Sequence, residues 1–243
     1  MASFKADMHI HTVLSPCGSL EMSPLNIVQS ALDAKLDIIA ITDHNSTRQV
    51  TIVKHVAQKK GLFAIGGAEV NSAEEVHCLA LFETDEQLSI FQTFIDKHIL
   101  KIQNKPDYFG YQVVVDENEN ITHEEPWLLI NALDVGILEI EKLVHSLDGL
   151  FIPAHIDRQF NGIISQLGFI PDELKCDALE LSPNAKTEYW KDDKRKSNNN
   201  IFIRNSDAHT PRDIARQFTI FEMEDISFQS IRKALVSNSL HIH

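Results

Sequence analysis

The stretch that decides the fold is D-M-H-I-H-T, residues 7–12, which follows a short apolar segment at the start of the chain. In a β-strand, residues i and i+2 point to the same face and lie roughly 6.6 Å apart. His9 and His11 can therefore converge on one small cation. The segment N-S-D-A-H repeats the spacing with Asp207 and His209. Imidazole and carboxylate together suit Zn, Mn or Fe, so the sequence predicts a metal site.

The segments around this stretch predict an α/β fold. Apolar runs at 4–9, 37–42, 62–70 and 76–82 read as strands, and further strands are expected in L-F-I-P-A-H, D-A-L-E-L-S and I-F-I-R-N-S-D-A-H. Helical spacing follows Ser23-Pro24, and helices are also expected at 46–60, 85–102 and 126–147. We expect a single domain over 1–243 with a TIM-like barrel; an open doubly wound sheet is the alternative. The hairpin-like segment 103–125 is interpreted as a surface insertion that shapes substrate access.

The unusual polar residues fall at the predicted strand ends. His9, His11, Asp43, His44, Glu69, His155, Asp207 and His209 all follow or end an apolar run, whereas His77 lies near the start of its strand. In parallel α/β folds the C-terminal strand ends form the active-site rim. A buried cluster of histidines and carboxylates is costly unless metal ions satisfy it. The pattern therefore predicts a metal cluster at one rim.

Composition narrows the expected partners and location. The formal net charge is −13, from 35 acidic and 22 basic residues, so we expect no binding of long duplex nucleic acid. A small phosphorylated substrate remains compatible, because bound cations reverse the local sign. Three cysteines, no signal peptide and no long apolar run predict a cytoplasmic protein that does not cross a membrane. The oligomeric state is left open.

The motifs, taken in order, resemble the PHP (polymerase and histidinol phosphatase) family of metal-dependent phosphoesterases. They are D-M-H-I-H-T, the stretch from S-P-L-N to T-D-H-N, A-E-V, H-C-L-A-L, P-A-H and N-S-D-A-H, and they cover nearly the whole chain. The resemblance implies a distorted (β/α)7 barrel with two or three divalent ions at its rim. It implies a first metal on His9, His11, Glu69 and Asp207, a second on Glu69, His77 and His155, and a third on His44 and His209.

One position departs from the family pattern. Many members offer a histidine or aspartate to the third metal where this chain has V-L-S-P-C-G, with Pro16 and Cys17. Thiolate is a competent zinc ligand, so Cys17 is a candidate for that role, and a small packed residue is the alternative. Asp43 adjoins His44 and is expected to support a ligand rather than to bind metal.

The resemblance also implies a reaction. A hydroxide shared by two metals would attack phosphorus, with Glu69, Asp207 and His209 as the catalytic residues. Arg158 and Arg204 lie beside metal motifs and are candidates for binding substrate phosphate, with a salt bridge to an acidic residue as the alternative for each. Amidohydrolase chemistry, an exonuclease acting on short single strands and a non-catalytic metal-binding regulatory module are the competing functions.

Overall fold

The computed structural model describes residues 1–186 and 201–243. Its strands are β1 (Ala2–Ile10), β2 (Ile38–Ile41), β3 (Phe63–Asn71), β4 (His77–Phe82), β5 (Val113–Val115), β6 (Ile121–Glu124), β7 (Leu150–Pro153), β8 (Leu179–Leu181), β9 (Phe202–Arg204), β10 (Thr219–Met223) and β11 (Leu240–Ile242). Its helices are α1 (Pro24–Asp33), α2 (Val50–Lys59), α3 (Asp85–His98), α4 (Pro106–Phe109), α5 (Ile137–Ser146), α6 (Ile163–Leu167) and α7 (Phe228–Ser237).

A seven-stranded mixed sheet, in the order β11-β10-β1-β2-β3-β4-β7, forms the centre of the fold. Strands β1, β2 and β3 are parallel, whereas β4 runs antiparallel to both of its neighbours, β3 and β7. The sheet curls, because the parallel pair β8–β9 contacts β7 at one end of the sheet and β11 at the other. Asp177 N donates to Phe151 O of β7 (3.0 Å), and His11 N donates to Ala208 O beyond β9 (3.0 Å). The predicted mixed α/β class is confirmed, but a regular series of seven βα units is not found among the described residues.

Two hydrophobic cores lie against this sheet. Helices α1, α2, α3 and α5 contribute their apolar sides to the larger core, and α7 packs into the smaller one through Phe228 and Ile231. The local signals agree with this packing. Ser23 Oγ accepts from Asn26 N at the start of α1, and Thr84 and Gln87 form a capping box on α3. The fold therefore places α1, α2 and α3 within the ranges that the sequence periodicity predicts.

The predicted helix over 126–147 is wrong in its first half. Only Ile137–Ser146 is helical. The preceding segment is held in an irregular path by Asn45, whose Nδ2 donates to Leu129 O (2.7 Å) and Asn131 O (2.8 Å). Because these carbonyls bind a side chain, they do not join a helical ladder.

The 103–125 segment contains the expected hairpin, formed by β5 and β6. Strand β5 is buried in the larger core, and Gln49 pairs with both polar groups of the Val115 main chain (2.8 and 2.9 Å). The segment is therefore only partly a surface feature. The stretch K-D-D-K-R-K-S-N-N-N, residues 191–200, has the composition of a solvated loop and lies outside the described residues. Within the described ranges, no helix combines the length and hydropathy needed to cross a membrane.

Candidate metal centre

The predicted ligands meet at one edge of the curled sheet. His9 lies in β1, Glu69 lies in β3, and His11, His44, His155, Asp207 and His209 follow β1, β2, β7 and β9. His77 joins them because β4 is antiparallel: its first residue pairs with Asn71, at the end of β3. The apparent exception in the sequence is thus a change of strand direction.

Glu69 lies at the centre of the cluster and is almost fully buried, with 1% exposure. Its Oε1 contacts His77 Nδ1 (2.8 Å) and His155 Nε2 (2.9 Å). Its Oε2 contacts His44 Nδ1 (3.0 Å) and His11 Nε2 (3.3 Å). Each carboxylate oxygen therefore faces a different group of imidazoles, which is the arrangement of a bridging ligand.

The tautomers of His9 and His11 can be assigned from their outer neighbours. His9 Nδ1 lies 2.9 Å from a carboxylate oxygen of Glu180, which can only accept when ionised. His11 Nδ1 lies 2.9 Å from Ser15 Oγ, and that hydroxyl donates in turn to Asp43 Oδ1 (2.7 Å). Both histidines thus hold a proton on Nδ1, which leaves Nε2 as the atom that would bind a metal ion in the cluster.

This arrangement fits a bound cation. The two Nε2 atoms of His9 and His11 lie 3.3 Å apart, and each lies 3.3–3.4 Å from Asp207 Oδ1. Lone-pair acceptors facing one point repel one another unless a cation lies between them. Among the described residues, three groups of side chains bring their ligand atoms within 4.8 Å of one another. They are His11, His44 and His209; His9, His11, Glu69 and Asp207; and His44, Glu69 and His77.

Unsatisfied polar atoms support the same conclusion. Among the described residues, His44 Nδ1, Glu69 Oε2 and His155 Nδ1 are buried without a hydrogen-bond partner. His44 Nδ1 and Glu69 Oε2 are close but not aligned for a hydrogen bond. Since buried polar groups are normally paired, a metal ion is the partner that this donor set fits.

The electrostatics favour ligation. Burial raises the pKa of Glu69, but the imidazoles that face its carboxylate, His77 and His9 foremost, outweigh burial and hold the pKa well below its usual range. Burial lowers the pKa of His77 to about 4 despite the nearby carboxylate. The central carboxylate is thus ionised, and at neutral pH His77 is a neutral imidazole able to donate a lone pair.

Cys17 is exposed to solvent and lies close enough to His44 and His209 for both imidazoles to act on its thiol. Burial raises the pKa of its thiol, but these histidines outweigh burial and lower the pKa to about 5. His209 Nδ1 is hydrogen-bonded to Asp207 O (2.8 Å), which leaves its Nε2 lone pair free, and its ring stacks on His11 at 4.2 Å. The thiolate expected at neutral pH therefore adjoins the outer histidines of the cluster.

The backbone is strained at this edge. His155 has φ 29°, Asp207 has φ 52° and Asn45, next to His44, has φ 42°. Left-handed conformations cost non-glycine residues roughly 1–3 kcal/mol and collect at functional sites. Two candidate ligands, His155 and Asp207, are therefore held in left-handed backbone conformations.

Sequence reasoning missed Glu180. It is buried in β8, and its carboxylate also accepts from His155 N (3.0 Å) and Asn205 Nδ2 (2.7 Å). The signal was a single carboxylate inside the apolar strand D-A-L-E-L-S. Asp43, in contrast, supports the cluster as expected: it accepts from Ser15 and from Thr12 N (2.7 Å).

The two candidate arginines are placed differently. Arg158 is 45% exposed and its Nη2 lies 2.6 Å from Asp207 Oδ2, so it reaches the cluster. Arg204 donates instead to the carbonyls of Ser182 (3.3 Å), Pro183 (2.6 Å) and Ala185 (3.1 Å). Those main-chain contacts occupy its guanidinium, which argues against the predicted role of Arg204 in phosphate binding.

Comparison with known proteins agrees with this geometry. The PHP domain model matches residues 7–161, and the chain belongs to the PHP domain family. An uncharacterized protein of Methanocaldococcus jannaschii is 34% identical over 79 residues, a match that covers 29% of this chain and 46% of that protein.

Solved structures share the fold. The lesion-specific endonuclease EndoQ from Pyrococcus furiosus superposes with a TM-score of 0.75 at 22% identity, over 99% of this chain and 58% of that protein. A second structure is a two-domain protein from Bacteroides vulgatus that contains a predicted PHP-like metal-dependent phosphoesterase. It superposes with a TM-score of 0.57 at 19% identity, over 100% of this chain and 65% of that one. This chain thus spans little more than half of the endonuclease.

One expectation is corrected by a third structure. Endonuclease Q in complex with a 27-mer duplex substrate, with an abasic lesion at the active site, superposes with a TM-score of 0.67 at 23% identity, over 97% of this chain and 57% of that one. The expectation of a small phosphorylated substrate and no long duplex nucleic acid is contradicted by this neighbour, in which the same fold binds a duplex. Net charge sums over the whole surface, whereas binding depends on the local field at the site, which bound metal ions would make positive.

Proposed function

We propose that the chain is a phosphodiesterase that hydrolyses the backbone of nucleic acid. The main support for this proposal is the buried Glu69 carboxylate, whose two oxygens face two separate groups of imidazoles. Such a carboxylate suits two ions held a few ångströms apart, as in enzymes that displace an oxygen at phosphorus. The fold shared with endonuclease Q supports nucleic acid as the substrate class.

The proposed ligands follow the cluster. His9, His11, Glu69 and Asp207 would hold one ion, His77 and His155 with Glu69 a second, and His44 and His209 with Cys17 a third. Zn, Mn and Fe are the candidates for these ions. Divalent ions in such a site supply a nucleophile at neutral pH and neutralise charge on phosphoryl oxygens.

The chain's own residues would position the substrate. Arg158 lies against Asp207 and is 45% exposed, so its remaining N–H donors can bind a phosphate oxygen next to the cluster. His209, with a side chain 28% exposed, and His77, at 12%, form the mouth of the cluster, whereas His9 and His11 are fully buried. We assign catalysis to Glu69, Asp207 and His209, which adjoin the expected position of the phosphate.

The test is a substrate panel on protein loaded separately with Mn, Zn and Fe. It contains bis(p-nitrophenyl) phosphate, single-stranded and duplex oligonucleotides, a phosphomonoester, an amide and a lactone. Hydrolysis of the diesters, lost in Glu69→Gln, is expected. Turnover of only the amide or lactone would replace the proposal with amidohydrolase chemistry, and turnover of none would indicate a binding module.

A further inference from the structure

The loop that follows β7 is tied to the cluster at both ends. It begins at His155, and the carbonyl of Asn161 accepts a hydrogen bond from His77 N (2.9 Å). Within it, Arg158 N donates to His155 O (2.9 Å), and Asn161 Nδ2 donates to Glu75 O (3.2 Å). The loop is therefore fixed relative to two histidines of the cluster.

The exposed side chains of this fixed loop include a cation and an aromatic ring. Arg158 contacts Asp207 while remaining 45% exposed, and Phe160 is 77% exposed. A phenylalanine loses the favourable free energy of burial when its ring stays in water. A cation and an aromatic ring two residues apart, beside a metal cluster, can contact a phosphate and a base of the same strand.

Aromatic residues are also exposed near the Cys17 side of the cluster. Tyr108 is 84% exposed and Tyr111 is 51% exposed. Between them, Gly110 packs so closely on Pro16 that a Cβ would lie 2.1 Å from the Pro16 carbonyl oxygen. Pro16 precedes Cys17, which adjoins His44 and His209. Exposed rings thus occur beside both the His77–His155 side and the Cys17–His209 side.

Resting on the proposed function, we infer that Phe160 stacks on an unpaired base next to the scissile phosphate. Arg158 would hold the phosphate, and the segment 108–111 would receive the strand on the other side. A base inside a regular duplex has no free face, because its neighbours cover both sides. The substrate is therefore a nucleic acid with at least one unpaired nucleotide at the cleavage position, in a single strand or within a duplex.

The experiment compares Phe160→Ala, Phe160→Trp and Phe169→Ala in the metal-loaded protein. Phe169 is a matched control, because it is also an exposed phenylalanine, at 61%, in the turn after α6. The substrates are a fully paired duplex, the same duplex with one unpaired nucleotide, and the single strand. Binding of a strand with 2-aminopurine at the unpaired position is followed by fluorescence in parallel.

Phe160→Ala should raise KM for the substrates with an unpaired nucleotide by roughly 5- to 150-fold, the range expected from loss of one base stack. Phe160→Trp should restore the wild-type KM and quench 2-aminopurine, and Phe169→Ala should match wild type. Equal changes in KM for paired and unpaired substrates, or none, would overturn the inference. A wild-type protein that cleaves no diester would refute the proposed function instead, and the 2-aminopurine binding would still decide whether Phe160 stacks.

Discussion

Replacing Glu180 with glutamine tests whether the cluster depends on residues behind its ligands. The Glu180 carboxylate accepts from His9 Nδ1 (2.9 Å), His155 N (3.0 Å) and Asn205 Nδ2 (2.7 Å). It thereby fixes the proton of His9 on Nδ1 and leaves the Nε2 lone pair 3.4 Å from both Glu69 and Asp207. Glutamine has nearly the same shape but replaces one acceptor oxygen with a donor.

The expected magnitude follows from that geometry. Three donors surround Glu180, so the amide nitrogen of the substituted side chain would face at least one of them, and a buried unsatisfied donor costs about 1–3 kcal/mol. Loss of the carboxylate behind a metal-binding histidine typically weakens metal affinity about 10- to 100-fold. We therefore expect Glu180→Gln to raise the metal Kd by that factor and to lower the free energy of unfolding of the metal-free protein.

Competition with a chromophoric chelator measures the Kd, and chemical denaturation measures the stability. Glu141→Gln is the control, because Glu141 is a buried carboxylate, 4% exposed, that contacts His145 rather than the cluster. Its metal affinity should match wild type. A Kd for Glu180→Gln within about twofold of wild type, well below the loss expected for a supporting carboxylate, would refute the idea that Glu180 orients His9.

The residues of the cluster can be predicted from the sequence because the patterns that indicate them span only a few neighbouring residues. His9 and His11 share a face through strand geometry, and apolar runs reveal where strands end. His77 was harder, since the direction of β4 is set by its pairing with Asn71 and neighbouring residues of β3, not by its own sequence. Glu180 was missed because its partner His9 lies 171 residues away in the chain.

The predicted start of the helix at residue 126 is wrong for a similar reason. Residues 126–136 have helical spacing of apolar side chains, yet Asn45 binds two of their carbonyls from another part of the chain. The prediction from net charge, that long duplex nucleic acid does not bind, has a different weakness. A charge summed over the chain does not say where on the surface the charges lie. Local periodicity thus predicts elements and ligands, whereas long-range hydrogen bonds decide their direction, their limits and their support.

Three further changes test the centre and the fold. Glu69→Gln should lower the metal content by more than one equivalent without unfolding the protein, and elemental analysis that finds full occupancy would show that Glu69 does not bridge. Cys17→Ser should remove one metal equivalent and the near-ultraviolet thiolate band of Co(II)-loaded protein; an unchanged band would assign the band to another thiol. The last change concerns His145, whose pKa is raised above 6.5 by hydrogen bonding to Asp177 and Glu141 (the Asp177 bond is 2.9 Å). A raised folded-state pKa stabilises the fold fully below the unfolded pKa of about 6.5, and this contribution is lost as pH rises through the folded-state pKa. His145→Gln should therefore destabilise the protein more at about pH 5.5 than at about pH 9, by roughly 1 kcal/mol or less, and equal losses of unfolding free energy at both pH values would refute the ion network.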